Sequence, residues 1–199
     1  MHFSKSTIGA ASLLALAPSV LAVGTASVYN NCDYDVYYAA IDGTAEGMQL
    51  LGAGGYSATY SEQDVGVSIK LATSDSLSGP ISQFEYTWSG DSIFWDLSNI
   101  NGDPDSPEGY PFAQGGMLIT PSMTNDPSNP TCEPISCPAG TMLCTAAYNA
   151  PNDPNTMVCN QDSNLVLTIC PGGSAKRSVE LARSVHQHQR MHARHYPRK

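Results

Sequence analysis

Glu85 and Asp96 sit where a pair of carboxyls could do general acid–base work. Cleaving a glycosidic bond takes two such groups roughly 5–9.5 Å apart, one holding a proton and one ionised. The segments that carry them, Ile81–Trp88 and Asp91–Leu97, alternate apolar with polar residues and are joined by Ser89-Gly90, a two-residue hairpin signal. That turn sets Trp88 opposite Asp91. Phe84, Tyr86, Trp88, Ile93, Trp95 and Leu97 then share one face, which is expected in the core. Gln83, Glu85, Thr87, Ser92, Phe94 and Asp96 share the other, which is expected to face solvent. Glu85 and Asp96 become diagonal neighbours, with backbone positions about 7–8 Å apart. In a hydrolytic reading Glu85 is the acid, its proton retained by the negative surroundings, and Asp96 is the nucleophile or base.

The same face could hold a ligand without turning it over. Phe94, with Tyr34, Tyr37 or Tyr38 beside it, offers an aromatic surface for sugar rings, while Glu85, Asp96 and Asn101 accept hydrogen bonds from hydroxyls. Further along, Asn101-Gly102-Asp103-Pro104-Asp105 with Glu108 gathers hard oxygen donors in one loop, and Asp103 and Asp105 are the candidate calcium ligands. The spacing is not that of a known calcium loop, and Asp-Pro-Asp is equally the composition of a plain turn. No other cofactor is implied.

Charge narrows the chemistry further. The chain has 9 Lys and Arg against 18 Asp and Glu, yet seven of the cations, and four of the five His, lie in the last stretch from Lys176 to Lys199. Residues 23–175 hold 17 carboxylates, Lys70 as sole cation, no Arg and no His, a balance of −16. A body without His excludes a Ser-His-Asp or Cys-His centre and a His-ligated zinc. So acidic a surface repels phosphate, which argues against nucleic acid as a partner. Cations, neutral polysaccharide and basic protein surfaces remain.

Both ends read as processing segments. Met1–Ala22 has Lys5, an apolar run from Ile8 to Ala17 and small residues before Ala22, the layout of a secretory signal cut after Ala22, with Ala26 as the alternative. A run of about ten apolar residues is too short to span a bilayer. The mature chain is therefore expected to be secreted, soluble and monomeric. Residues 172–199 form a flexible linker and a basic, His-rich tail, with the dibasic pair Lys176-Arg177 as the point where the tail could be removed. Six Cys (Cys32, Cys132, Cys137, Cys144, Cys159 and Cys170) behind a signal segment read as three disulfides, and the absence of any C-x-x-C pair argues against a metal site.

Besides the hairpin, strand-like runs recur at Ala26–Asn31, Asp35–Ile41, Tyr56–Tyr60, Val65–Ala72, Met117–Thr120 and Leu165–Ile169, each bounded by turn residues. No stretch keeps a helical period. Between Pro104 and Cys159, ten prolines and four Cys describe a loop-rich, disulfide-stapled region with little core of its own. An all-β fold follows, one β-sandwich domain over residues 23–171.

Several motifs resemble those of thaumatin-like proteins. Ala26-Ser-Val-Tyr-Asn-Asn-Cys32 followed by Tyr34-Asp-Val-Tyr-Tyr-Ala-Ala40 is similar to that family's first hairpin. Gly79-Pro80, Phe84-Glu85 and Phe94-Trp-Asp96-Leu-Ser98-Asn-Ile-Asn-Gly102 resemble its acidic-cleft strands, and Leu165-Val-Leu-Thr-Ile-Cys170-Pro171 its closing strand. The whole is similar to the small fungal secreted members of the yeast-phase-specific and antigenic conidial type. The resemblance implies a sandwich in which Cys32 pairs with Cys170. The other four Cys allow three connectivities, of which Cys132–Cys159 with Cys137–Cys144 is preferred. It also implies a cleft lined by one Arg and four acids, in which Glu85 and Asp96 match two positions, Asn101 replaces a third acid and the Arg has no counterpart. β-1,3-glucan is the implied substrate of a hydrolytic cleft or ligand of a non-catalytic one. The partial cleft favours a non-catalytic protein acting through its acidic face. Cell-wall polysaccharide or a host surface protein is the implied partner, at the cell wall, spore surface or host surface, in conidial germination, wall organisation, or as an adhesin or effector in virulence.

Overall fold

Alternating β-branched and aromatic residues build the strands of the computed structural model, which describes residues 23–43, 47–103 and 110–173. Thr25–Asn30 (β1), Tyr37–Ile41 (β2), Gln49–Leu50 (β3), Tyr56–Thr59 (β4), Gly66–Ala72 (β5) and Ser82–Ser89 (β6) lead into Ser92–Ser98 (β7). Met117–Pro121 (β8), Ile135–Cys137 (β9), Met157–Asn160 (β10) and Leu165–Ile169 (β11) complete the order. One sheet runs β4-β1-β11-β8-β9 and the other β10-β7-β6-β5-β2-β3. Val28, Ile119 and Leu167 from the first and Ile69, Phe84 and Trp95 from the second are buried in one shared core, so the fold is an all-β sandwich. Among the described residues, no helix is long and apolar enough to cross a membrane.

First and last strands close the sandwich. β1 and β11 pair in parallel, Ala26 opposite Leu165, and just beyond them Cys32 is bonded to Cys170. That disulfide needs Gly115: a Cβ there would fall 2.2 Å from Cys170 Sγ. Cys132–Cys159 and Cys137–Cys144 are the other two bonds, and the Trp95 indole donates to Cys159 Sγ at 3.3 Å.

The expected strands are present with ends moved by two residues at most, while β3, β9 and β10 are additions. The Pro- and Cys-rich region is loop-rich and stapled by two disulfides, as expected, and it adds side chains to the common core. Tyr110, Phe112, Ala113, Ile135 and Ala147 are buried in the common core, because β8–β9 pairing and two disulfides give this stretch backbone partners and a fixed path.

One correction concerns the hairpin. Its turn falls on Gly90-Asp91, so Ser89 pairs with Ser92 and Trp88 with Ile93, not with Asp91. Gly90 adopts φ 58° at the first central position, the place where a two-residue turn requires glycine's freedom. The Trp88 indole donates to the Gly90 carbonyl and to Gln161 Oε1, both at 2.9 Å, and holds the turn from one side. The shift moves each strand by one step, so the inward and outward sets keep their faces.

Candidate functional site

Ile41 pairs with Ser68, Ser68 with Glu85 and Glu85 with Asp96, which places these four in one line across β2, β5, β6 and β7 on the outward face. One step along lie Thr87 and Phe94, also a pair. A step the other way lie Lys70, Gln83 and Ser98. The first two rows, with Gly43, Gly66 and Thr156, line a groove of about 490 Å³.

Because the turn is shifted, Glu85 and Asp96 are direct cross-strand partners rather than diagonal neighbours. Such pairs hold their Cβ atoms about 4.5–5.5 Å apart. Nor is the outward face simply wet. Asp96 is largely buried, its Oδ1 has no hydrogen-bond partner among the described residues, and burial together with the Glu85 charge pushes its carboxyl up to about 7. The acid role assigned to Glu85 therefore passes to Asp96, the carboxyl that burial raises.

Gln83 is buried as well, against the expectation of a solvent-facing side chain. Its Oε1 accepts from Ser68 Oγ at 3.0 Å and from Lys70 Nζ, and its Nε2 donates to Asn101 Oδ1 at 3.0 Å. One donor of the Lys70 ammonium is thus engaged by this amide, and the Asn101 oxygen offered above to a ligand already accepts from Gln83.

Phe94 keeps its outward place and remains 40% exposed. The tyrosines do not gather round it. Tyr34 OH lies 3.6 Å from Cys170 Sγ, beside the closing disulfide. Tyr38 packs inward against the core, its ring 4.9 Å from that of Tyr56. Tyr37 shares the outward face, but the β2 position in the Glu85 row is Ile41, about 13 Å further along, and Phe94 lies one row beyond that.

Asp103 is among the described residues, whereas Asp105 and Glu108 lie outside them, as do Ala22, Lys176 and Arg177. Among the described residues no three His, Cys, Asp or Glu come together as a metal site. Sequence reasoning missed Ser68, Thr87 as a wall of the groove, and Thr156. Ser68 and Thr87 alternate in phase with Lys70 and Glu85, a usable signal once the β5–β6 register is known.

A disulfide-closed double sheet with paired acids facing outward defines a thaumatin-like protein. The sequence pattern described as Blastomyces yeast-phase-specific protein matches residues 13–171, and the chain belongs to that family, a group of fungal thaumatin-like proteins. It is 37% identical over 206 residues to the antigenic thaumatin-like protein of Arthroderma benhamiae, covering 98% of this chain and 97% of that one. It is 33% identical over 168 residues to the secreted thaumatin-like protein calA of Emericella nidulans, covering 82% and 92%. Among solved structures it resembles the protein elicitor MoHrip2 from Magnaporthe oryzae, with a TM-score of 0.54 and 22% identity over 74% of this chain and 98% of that one, a likeness of fold.

Proposed function

We propose that this chain is a secreted protein, released after Ala22, that binds cell-wall polysaccharide of the β-glucan type in its acidic groove without cleaving it. Exposed Phe94 beside the Glu85–Asp96 pair carries the reading: an aromatic face for a sugar ring adjoins carboxyl oxygens for its hydroxyls. The signal-like amino terminus and a relative named as secreted support the location. At the fungal surface such binding would serve wall organisation or conidial germination; on a host it would serve adhesion or an effector role.

A second reading rests on Asp96. A carboxyl near pH 7 facing another carboxyl is the pairing that glycoside hydrolysis uses, with Asp96 as acid and Glu85 as nucleophile or base. One assay separates the two. Protein freed of both end segments is incubated with insoluble β-1,3-glucan, scoring retention and released reducing ends. Retention without release is expected, reduced about tenfold by Phe94→Ala. Release that disappears in Asp96→Asn would establish the hydrolase; neither retention nor release would leave a protein partner as the target of the acidic face.

A further inference from the structure

We propose that the basic tail of this same chain, residues 178–199, docks in the groove between Glu85, Asp96 and Phe94 and masks it until the chain is cut at Lys176-Arg177. The proposal rests on reading the groove as a ligand site and adds its regulation.

Charge singles out the occupant. Residues 23–175 carry −16, and their sole cation, Lys70, donates to Gln83. Residues 178–199 carry Arg183, Arg190, Arg194, Arg198 and Lys199 against the single acid Glu180. At the groove two carboxyls stand side by side, and the buried Asp96 Oδ1 lacks a donor among the described residues. A guanidinium supplies planar paired donors to such oxygens, and its flat face stacks on an exposed ring such as Phe94.

Reach is sufficient. The tail departs after Gly173, three residues past Cys170, whose disulfide fixes it beside Cys32 and the chain leading into β2. Running from Cys32 to Tyr37, along β2 to Ile41 and across three strand spacings to Asp96 covers at most about 45 Å. Arg190 lies 17 residues beyond Gly173, a span of up to about 56 Å when extended. Arg190 and Arg194 therefore reach the groove with slack. Tethering raises the local concentration of these cations to the millimolar range, so weak contacts suffice to fill the groove before cleavage. After cleavage that advantage is lost and the segment leaves.

The test begins with the full chain, either kept intact by Lys176→Gln with Arg177→Gln or cut by a dibasic-specific endoprotease. A fluorescent synthetic peptide of residues 178–199 is titrated into the cut protein at about 20 mM and about 500 mM salt, reading anisotropy. Binding at low salt is expected, weakened about tenfold by Glu85→Gln with Asp96→Asn, and about tenfold by Arg190→Gln with Arg194→Gln in the peptide. With all titrations run at pH 8, above the raised value of about 7 at Asp96, Asp75→Asn with Asp162→Asn removes the same charge elsewhere and should change binding less than about twofold. No binding at low salt, or equal weakening by the remote pair, would overturn the proposal. Retention on insoluble β-1,3-glucan, run in parallel, should rise on cleavage. Site-dependent peptide binding by a protein that never binds glucan would keep the docking and overturn the polysaccharide reading. Glucan retention identical before and after cleavage would overturn the masking.

Discussion

The Asp96 carboxyl is pushed up to about 7 because burial takes water from it and the Glu85 charge faces it across the strands. The unfolded chain carries this carboxyl at its ordinary 3.8, so folding raises proton affinity. The help that bound proton gives the native state is complete below that value and is lost as pH climbs through about 7. Asp96→Asn removes the charge that burial penalises. Its gain over the parent is expected to grow from nothing near pH 3 to on the order of 2 kcal/mol at pH 8, after allowance for the water that still reaches the group. Urea unfolding at the two pH values checks this, and an equal effect at both would mean that the folded carboxyl titrates normally. Phe94→Ala makes the opposite contrast: an exposed ring contributes little to folding, so its loss should stay within about 0.5 kcal/mol while glucan retention drops. Both residues were legible in the sequence as members of one outward face. Which carboxyl would hold the proton was not, since alternation reports direction and says nothing about depth.

Faces survive a register error that pairings do not, and the β6–β7 hairpin shows why. Side-chain direction repeats every second residue, so moving the turn from Ser89-Gly90 to Gly90-Asp91 returned every side chain to its face while bringing Glu85 directly opposite Asp96. The choice between those turns lies in one backbone angle. Gly90 at φ 58° meets no atom within 4 Å of an added Cβ, so Gly90→Ala would suffer only the strained backbone. A loss of about 1 kcal/mol is expected in chemical denaturation; a neutral result would mean that another turn is as good. Elements hidden from the sequence were short or paired at a distance. β10 has four residues and one clear inward position, Cys159, too little alternation to announce a strand, yet the segment entering it brings Thr156 to the groove. Ser68 faces Glu85 only through the β5–β6 register, which the intervening loop of nine residues does not dictate.

At the scale of the molecule, strand count and turn composition were enough to anticipate the sandwich, because many short amphipathic strands must bury one face each and two packed sheets do so. The pairing of Cys32 with Cys170, 138 residues apart, was anticipated only through the family resemblance, since parallel pairing of β1 with β11 leaves no local trace in the residues themselves. Closing so long a loop carries a large entropic cost, and the Cys32–Cys170 bond removes most of it from the unfolded state. The chain-entropy relation gives about 5 kcal/mol for this loop and about 2.5 for the loop of Cys137–Cys144, whose partners are only seven apart. Replacing Cys32 and Cys170 together by Ala should thus destabilise the protein about twice as much as replacing Cys137 and Cys144. Against a usual stability of about 5–15 kcal/mol, the first change brings the domain near its folding threshold and the second leaves it folded. Urea midpoints of the two double variants measure the ratio. Equal losses would show that local packing around each bond, such as the Gly115 contact on Cys170, outweighs loop length. The expected ratio instead makes the terminal bond the main restraint on a sheet whose first and last strands lie side by side.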